Sequence, residues 1–402
     1  MYKKFIGAVM IAAGTTVGAG MLALPILTGL AGFVPAVWVY IFSWLVMSYA
    51  SLLLLEVNLW MNEGANLVSM VQETLGSAAK YLALITYLFL FYSVCVAYLA
   101  GGSSVVVDML ASLFGWQLSH GEGILLLLAL VVPALYLGTH TLATVNMLLI
   151  AGLMLSYFFL LYTGKEYVHS ENLIHKNWEY SLFGLPVIIT SFTFQNVIPS
   201  LTAYLKGHVR QIRWVILLGG LIPLMMYILW EWLVLGVMPL DGPSGIQEAL
   251  TLGVPATHAL QGLLQNPRIT LCSDGFSFCA ILTSFLGVVL GLFDFLADGT
   301  RLQKKGFGKI LLCGLIFIPP VFFSFLYPRA FFTALGYAGG IGCVILFLLL
   351  PPLMVWKGRY CQKRVGTYRV KGGKIPLVLT MIVGLFIFSV QIGISLGWIS
   401  NQ

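Results

Sequence analysis

The sequence predicts an all-α polytopic membrane protein, and three observations predict it. Of the 402 residues, 59% are hydrophobic and only 9% charged, where an ordinary soluble domain carries about 25% charged residues. Apolar runs longer than the roughly 20 residues needed to cross the hydrocarbon layer recur along the whole chain. Between those runs, the basic residues gather in alternate loops. No length remains for a sizeable soluble domain, and the net charge of +7 reads as membrane topology rather than as a nucleic-acid surface.

Punctuation by Gly, Pro and charge places spans near residues 5–29, 34–57, 81–107, 123–138, 142–163 and 184–205. Five more follow near 212–236, 273–299, 308–327, 330–356 and 375–398. With the N-terminus inside, 17 of the 21 basic residues lie on the inner side, from Lys3, Lys4 and Lys80 through Arg301 to the run Lys357–Lys374. Only Lys165, Lys176, Arg268 and Arg329 fall outside, so the expectation is eleven spans with the N-terminus inside and the C-terminus outside. The stretch after Lys3 and Lys4 superficially resembles a signal peptide, but cleavage would remove the most motif-rich residues of the chain. Two longer outer loops remain, 164–183 and 237–272. The second is either a lid over the outer mouth or an ordinary surface loop.

The first span reads FIGAVMIAAGTTVGAGMLALPIL, with Gly14, Gly18 and Gly20 flanking Thr15 and Thr16. Each Gly costs a helix interior about 1 kcal/mol relative to Ala. The sixth span reads LFGLPVIITSFTFQNVIPSLTAYL, and Pro199 removes a backbone donor there. Both centres predict a broken helix, tolerated in a bilayer only where protein or a water-filled cavity satisfies the exposed backbone. The competing readings are small-residue helix packing for the first and polar bridging between helices for the second. Spacing links the two breaks: Pro25 to Glu56 is 31 residues and Pro199 to Glu231 is 32. The predicted plan is a 5+5 inverted repeat with helices 1 and 6 broken and one extra C-terminal helix. Its parts are 1–163 (first repeat), 164–183 (outer loop), 184–356 (second repeat), and 357–402 (basic loop and eleventh helix).

A broken helix offers free N–H groups from the half that begins and free C=O groups from the half that ends. Amides near Gly18, Ala19 and Gly20 suit a carboxylate, and carbonyls near Gly14 and Phe194 suit an ammonium, so a zwitterionic amino acid satisfies both ends. The substrate-binding candidates are Gly14, Thr15, Thr16, Gly18, Ala19, Gly20, Ser191, Phe192, Phe194, Gln195 and Asn196. Phe192, Phe194, Tyr92 and Tyr98 either wall the substrate or face lipid and core. The intramembrane carboxylates Glu56, Glu231 and Asp294 are the ion-coupling candidates. Structural hydrogen bonding is the favoured role for the two Glu, and Asp294 is the stronger coupling candidate. No P-loop, HExxH or nucleophile elbow occurs, so the chain reads as a carrier and not an enzyme, driven by an ion gradient, with no cofactor. The six cysteines show no CxxC or Cys/His cluster and read as packing residues, not as disulfides or a metal site.

GTTVGAGMLALP at 14–25, LLLLEV at 52–57, PVIITSFTFQNVIPSL at 186–201, SFLGVVLGLFDFLADG at 284–299, YPRAFFTALGYAGG at 327–340 and YRVKGG at 368–373 together resemble the hydroxy and aromatic amino acid permease family. The resemblance implies a proton-driven importer of an aromatic amino acid, L-tyrosine, on the fold of the leucine-type sodium symporters, in the bacterial inner membrane. On that fold the substrate's charged groups would meet Thr15–Gly20 and Ser191–Asn196. Relatives often place His where this chain has Gln195, and Gln carries no proton, which leaves the coupling ion, proton or sodium, open. Two alternatives stand beside this reading: a serine, threonine or other neutral amino acid carrier, and a channel or sensor on the same fold.

Overall fold

The structure, a computed structural model, describes residues 2–62, 65–137, 139–300 and 302–399. Arg301 of the basic loop lies outside the described residues. No strand occurs among those described, and the chain is a bundle of helices. Helix α1 (Tyr2–Thr16) stops as Val17 and Gly18 leave helical geometry, and α2 (Gly20–Thr28) restarts at 55° to it. Helix α3 (Phe33–Asn58) returns, and α4 (Leu67–Leu75) is a short helix fixed by a capping box between Asn66 and Ser69. Helices α5 (Ser77–Phe114), α6 (His120–Leu137) and α7 (Thr139–Gly164) follow.

After 3-10 turns over 165–182, α8 (Leu185–Ser191) and α9 (Ile198–Tyr204) form a second interrupted pair. Phe192 to Phe194 are non-helical between them, followed by a 3-10 turn at Gln195–Val197. Each short helix carries its proline, Pro186 or Pro199, at its first turn, where the missing N–H would have no partner in any case. The chain continues through α10 (Val209–Val237), the small α11 (Ile246–Leu252) and α12 (Ala256–Leu264), α13 (Pro267–Thr300) and α14 (Gly306–Leu326). Helix α15 (Phe331–Tyr337) runs through a π-helical stretch, Ala338–Leu349, into α16 (Leu350–Trp356), and α17 (Lys374–Ser395) ends the described chain.

Glycines in the π stretch permit close packing. A Cβ at Gly339 would overlap the Pro186 carbonyl and Thr190 Oγ1, and one at Gly340 would overlap Gln391, so the glycine pair lets α8 and α17 lie directly against this backbone. Elsewhere α13 runs between α5 and α7, while α1 and α3 lie along α10. Large apolar side chains such as Ile85, Met147, Phe158, Ile318, Phe322 and Ile375 face outward, as the lipid side of a bundle requires. Among the described residues, eight helices are long and apolar enough to cross a membrane, and the bent pair α1/α2 makes nine. Helix α6 is apolar but shorter over its described part, and α8 and α9 are each seven residues long.

Candidate functional site

The two interruptions meet. Helix α2 starts against the end of α8, where a Cβ on Gly20 would overlap Ser191 Oγ. One side chain from α10 joins them: Tyr227 Oη lies 2.8 Å from the Thr16 carbonyl and 2.7 Å from the Ser191 carbonyl, the last carbonyls of α1 and α8. Trp230 Nε1, one turn nearer than Tyr227 to the end of α10, donates to the Met21 carbonyl at 2.9 Å.

Of the amides at the start of α2, Ala19 N–H donates to Ser284 Oγ on α13 at 3.1 Å. The Gly18 N–H has no acceptor among the described bonds, and a Cβ on Gly18 would overlap Ser284 Oγ. A buried backbone amide is ordinarily hydrogen-bonded, so the Gly18 N–H is a donor free to take an acceptor. Beside Gly14 a Cβ would meet nothing within 4 Å, so open space adjoins the break on the α1 side.

Most of the hydroxyls in the two motifs are turned back onto their own helices. Thr15, Thr16, Ser191 and Thr193 each donate to the carbonyl four residues earlier, at 2.7 to 3.0 Å. These bonds add a second donor to carbonyls that the backbone already serves, as Phe192 N–H does for Ile189, so the hydroxyls are turned away from the breaks. Gln195 is fully buried, its Oε1 accepting from Phe194 N–H at 3.0 Å and its Nε2 donating to the Met47 carbonyl at 3.3 Å. It therefore ties the second interruption to α3. Asn196 is exposed. Phe192 and Phe194 are buried, Phe192 edge-on to Tyr227 with ring centroids 5.2 Å apart. Tyr98 packs edge-on to Phe285, whereas Tyr92 donates to the Leu315 carbonyl of α14 at 2.8 Å and points away from the breaks.

The three carboxylates have different surroundings. Glu56, near the end of α3, takes both Nε and Nη2 of Arg359 at 2.7 and 2.5 Å and the Val370 N–H at 2.6 Å. Asp294 is half exposed and pairs with Lys304 at 2.6 Å. Glu231, on α10, is fully buried and has only hydroxyl partners: Tyr40 Oη at 2.6 Å and Thr28 Oγ1. No described Lys, Arg or His forms an ion pair with it.

The segment 237–272 is packed rather than loose. Helix α12 lies against α2 and α13, with Thr257 Oγ1 and Ser277 Oγ 2.6 Å apart. His258 Nδ1 meets Asp108 Oδ2 of α5 at 2.6 Å, and Gln261 donates to Asp274 at 2.8 Å. The Asp108 hydrogen bond pushes the His258 pKa above its ordinary value, against the opposing effect of partial burial.

Sequence reasoning missed Tyr227, Ser284, Tyr40 and Thr28. Ser284 opens the SFLGVVLGLFDFLADG block, which was the one local signal, and the other three sit in ordinary apolar runs. The described residues contain no group of three or more His, Cys, Asp or Glu side chains able to hold a metal.

Comparison with known proteins supplies the remaining observation. The family described as tryptophan/tyrosine permease matches residues 1–391. The chain is 31% identical to tyrosine-specific transport system 1 of Haemophilus influenzae, over 99% of this chain and 98% of that one. It is 28% identical to the tryptophan-specific transport protein of the same organism, over 99% and 98%. A tryptophan-specific transport protein of Pseudomonas aeruginosa is 29% identical, over 98% and 96%.

Proposed function

The chain belongs to the tryptophan/tyrosine permease family, and from that premise we propose that it imports tyrosine by proton symport across a bacterial cytoplasmic membrane. It is a transporter of aromatic amino acids and not an enzyme. The observation that carries the site is the meeting of two broken helices at one phenol, with the Gly18 amide unpaired beside them. The substrate carboxylate takes the amides at the start of α2, where the helix dipole is positive. Its ammonium group takes carbonyls on the α1 side, where open space adjoins Gly14.

The span count in this reading is eleven. To the eight long helices and the α1/α2 pair it adds α6 and the α8/α9 pair, giving five plus five with α17 outside the repeat. Glu56 lies near the end of α3 and Glu231 toward the end of α10, on opposite faces if the two repeats run in opposite directions. The N-terminus is inside and the C-terminus outside, so the 237–272 segment covers the outer mouth.

Protons rather than sodium are supported by the use already made of the break carbonyls. Sodium sites on folds of this kind recruit carbonyls from unwound segments, and here the single Tyr227 hydroxyl proton lies between Thr16 O and Ser191 O and serves one of them. Tryptophan is the second reading, since two of the relatives are named for it.

Purified protein in lipid vesicles, given labelled tyrosine, tryptophan or serine under imposed pH or sodium gradients, tests all of this. Tyrosine accumulation driven by inward protons, collapsed by an uncoupler and competed by unlabelled tyrosine, is expected. Downhill flux indifferent to both gradients overturns coupled transport, and lack of competition by tyrosine overturns the substrate.

A further inference from the structure

Three close oxygen contacts around Glu231 are all satisfied when three protons are present, and a fourth, between Thr28 Oγ1 and Tyr40 Oη, is longer at 3.5 Å. Tyr40 Oη lies 2.6 Å from Glu231 Oε2. Thr28 Oγ1 is in hydrogen-bond contact with Glu231 Oε1 and lies 2.7 Å from the Leu24 carbonyl. A carbonyl has no proton to give, and Tyr40 and Thr28 carry one each. With an ionised carboxylate, two protons would serve three contacts and leave one pair of oxygens facing lone pair to lone pair. A protonated carboxyl completes the chain: Tyr40 donates to Glu231, Glu231 donates to Thr28, and Thr28 donates to Leu24. The absence of a cationic partner points the same way, because an unpaired buried charge neutralises itself.

A cleft lies beside this cluster, although Glu231, Tyr40 and Thr28 do not themselves line it. A cleft of about 170 Å³ opens at the end of α2 and α10, lined among others by Gly29, Leu235, Glu171, Asn172 and His175. Gly29 is the residue after Thr28, and Leu235 is one helical turn beyond Glu231. His175 Nε2 sits 2.9 Å from the Leu30 carbonyl at the same end.

From these observations we infer that Glu231 binds the coupling proton, loads it from this outer cleft, and holds it in the present conformation. The inference rests on the proton-symport reading. The proton passes from water in the cleft to the Glu231 carboxylate. Once bound, it closes the Thr28 contact and fixes the end of α2. The nine-residue α2 carries Gly20 at its other end, so the protonated carboxyl and the substrate amides are held by one short rigid element. Loss of the proton removes the third donor and releases α2.

Tyr227, on α10 itself, packs edge-on to Tyr40 with centroids 6.3 Å apart, and His169, Glu171 and His175 lie on the 3-10 segment against the same end of α10. The remaining titratable groups packed on α10 stand apart from this cluster. Glu166 and Lys165 lie in the 3-10 turn against its outer part, Tyr157 of α7 donates to the Met226 carbonyl, and His258 of α12 faces Asp108. Arg210 and Arg213 begin α10 itself, and Lys3 and Lys4 of α1 pack toward that same far end.

Glu231→Gln is the decisive variant, because its amide donates to Thr28 and accepts from Tyr40 as the protonated acid does. In vesicles it is expected to keep tyrosine binding and tyrosine exchange while losing all accumulation driven by a pH gradient. For one proton per substrate, wild type should accumulate about tenfold per pH unit of gradient. If wild type accumulates and Glu231→Gln accumulates equally, the assignment to Glu231 falls while symport stands. If wild type itself ignores the pH gradient, the symport reading falls and takes this inference with it. Should the variant fail to fold, infrared spectroscopy of wild type decides. A protonated-carboxyl C=O band at neutral pH that shifts in Tyr40→Phe is expected, and the absence of such a band overturns the inference.

Discussion

Glu56 and Glu231 follow the two broken helices at nearly the same spacing, 31 and 32 residues after Pro25 and Pro199, and both are buried. Their surroundings have diverged. Glu56 is clamped by Arg359, which also donates to the Val370 carbonyl at 2.9 Å, so the basic segment after α16 is stitched to the end of α3. Glu231 has two hydroxyls and no cation. One carboxylate is neutralised by a fixed partner and the other by a proton that can leave. The first solution makes a lock, and the second makes a group that responds to its surroundings.

The largest effect expected from this contrast is on stability. Arg359→Ala leaves Glu56 buried and uncompensated, and removing one partner of such a pair costs about 3 to 5 kcal/mol. Glu231→Gln keeps both hydrogen bonds and should cost less than about 1 kcal/mol. Denaturant unfolding in detergent measures both. If Arg359→Ala unfolds no more easily than Glu231→Gln, the two carboxylates do not differ as described. The double variant Glu56→Gln with Arg359→Met, which removes both charges, should recover much of the loss.

At the start of α2 the expected effect is smaller and falls on binding. Gly18→Ala would place a methyl group on Ser284 Oγ, and overpacking of this kind costs about 1 to 3 kcal/mol. Tyrosine affinity should fall by that amount while insertion into the membrane is unchanged, and Gly18→Leu should abolish binding. Adding Ser284→Gly to Gly18→Ala removes the obstruction and should restore affinity. Unaltered binding in Gly18→Leu would remove the substrate from this place.

The breaks were legible because their causes are local. Gly14, Gly18, Gly20 and Pro199 act through the backbone of their own segment, and the structure interrupts the chain within three residues of each motif centre. What closes around the breaks was not legible. Tyr227 and Ser284 reach them from α10 and α13, and Arg359 reaches Glu56 across 303 residues of sequence. Nothing in an apolar run marks one Tyr or Ser among many as facing inward, since helical periodicity is weak where a helix is apolar all round. Gln195 illustrates the same limit. Its place in the motif suggested a binding role, and nothing in the motif showed that its amide holds the Phe194 N–H and the Met47 carbonyl.

The 237–272 segment offers a third, smaller test of fixed against titrating neutralisation. Asp108 raises the pKa of His258, so the protonated pair adds stability to the latched α12 that is fully present below the ordinary His pKa. That contribution is lost as pH rises through the raised value. His258 is 44% exposed and Asp108 29%, so solvent screening limits the effect to about 0.2 to 1 kcal/mol. Hydrogen exchange of the α12 amides should quicken as pH rises through this window, after correction for the intrinsic rate. In His258→Ala the step should disappear.

The smallest expected effect belongs to Asp294, and it separates position from function among the acidic residues. Asp294 lies within an apolar span while Glu56 and Glu231 lie near the ends of theirs, and Gln195 carries no proton, which made Asp294 the stronger coupling candidate in the sequence. In the structure it is 51% exposed and bound to Lys304, itself 46% exposed. An exposed pair of this kind contributes about 0 to 1 kcal/mol. Asp294→Asn should therefore leave the pH-driven accumulation of tyrosine at its wild-type ratio, in the same vesicles where Glu231→Gln abolishes it. Loss of the pH dependence in Asp294→Asn, with Glu231→Gln unaffected, would move the coupling proton to the end of α13 beside Lys304 and leave Glu231 as a second structural carboxyl.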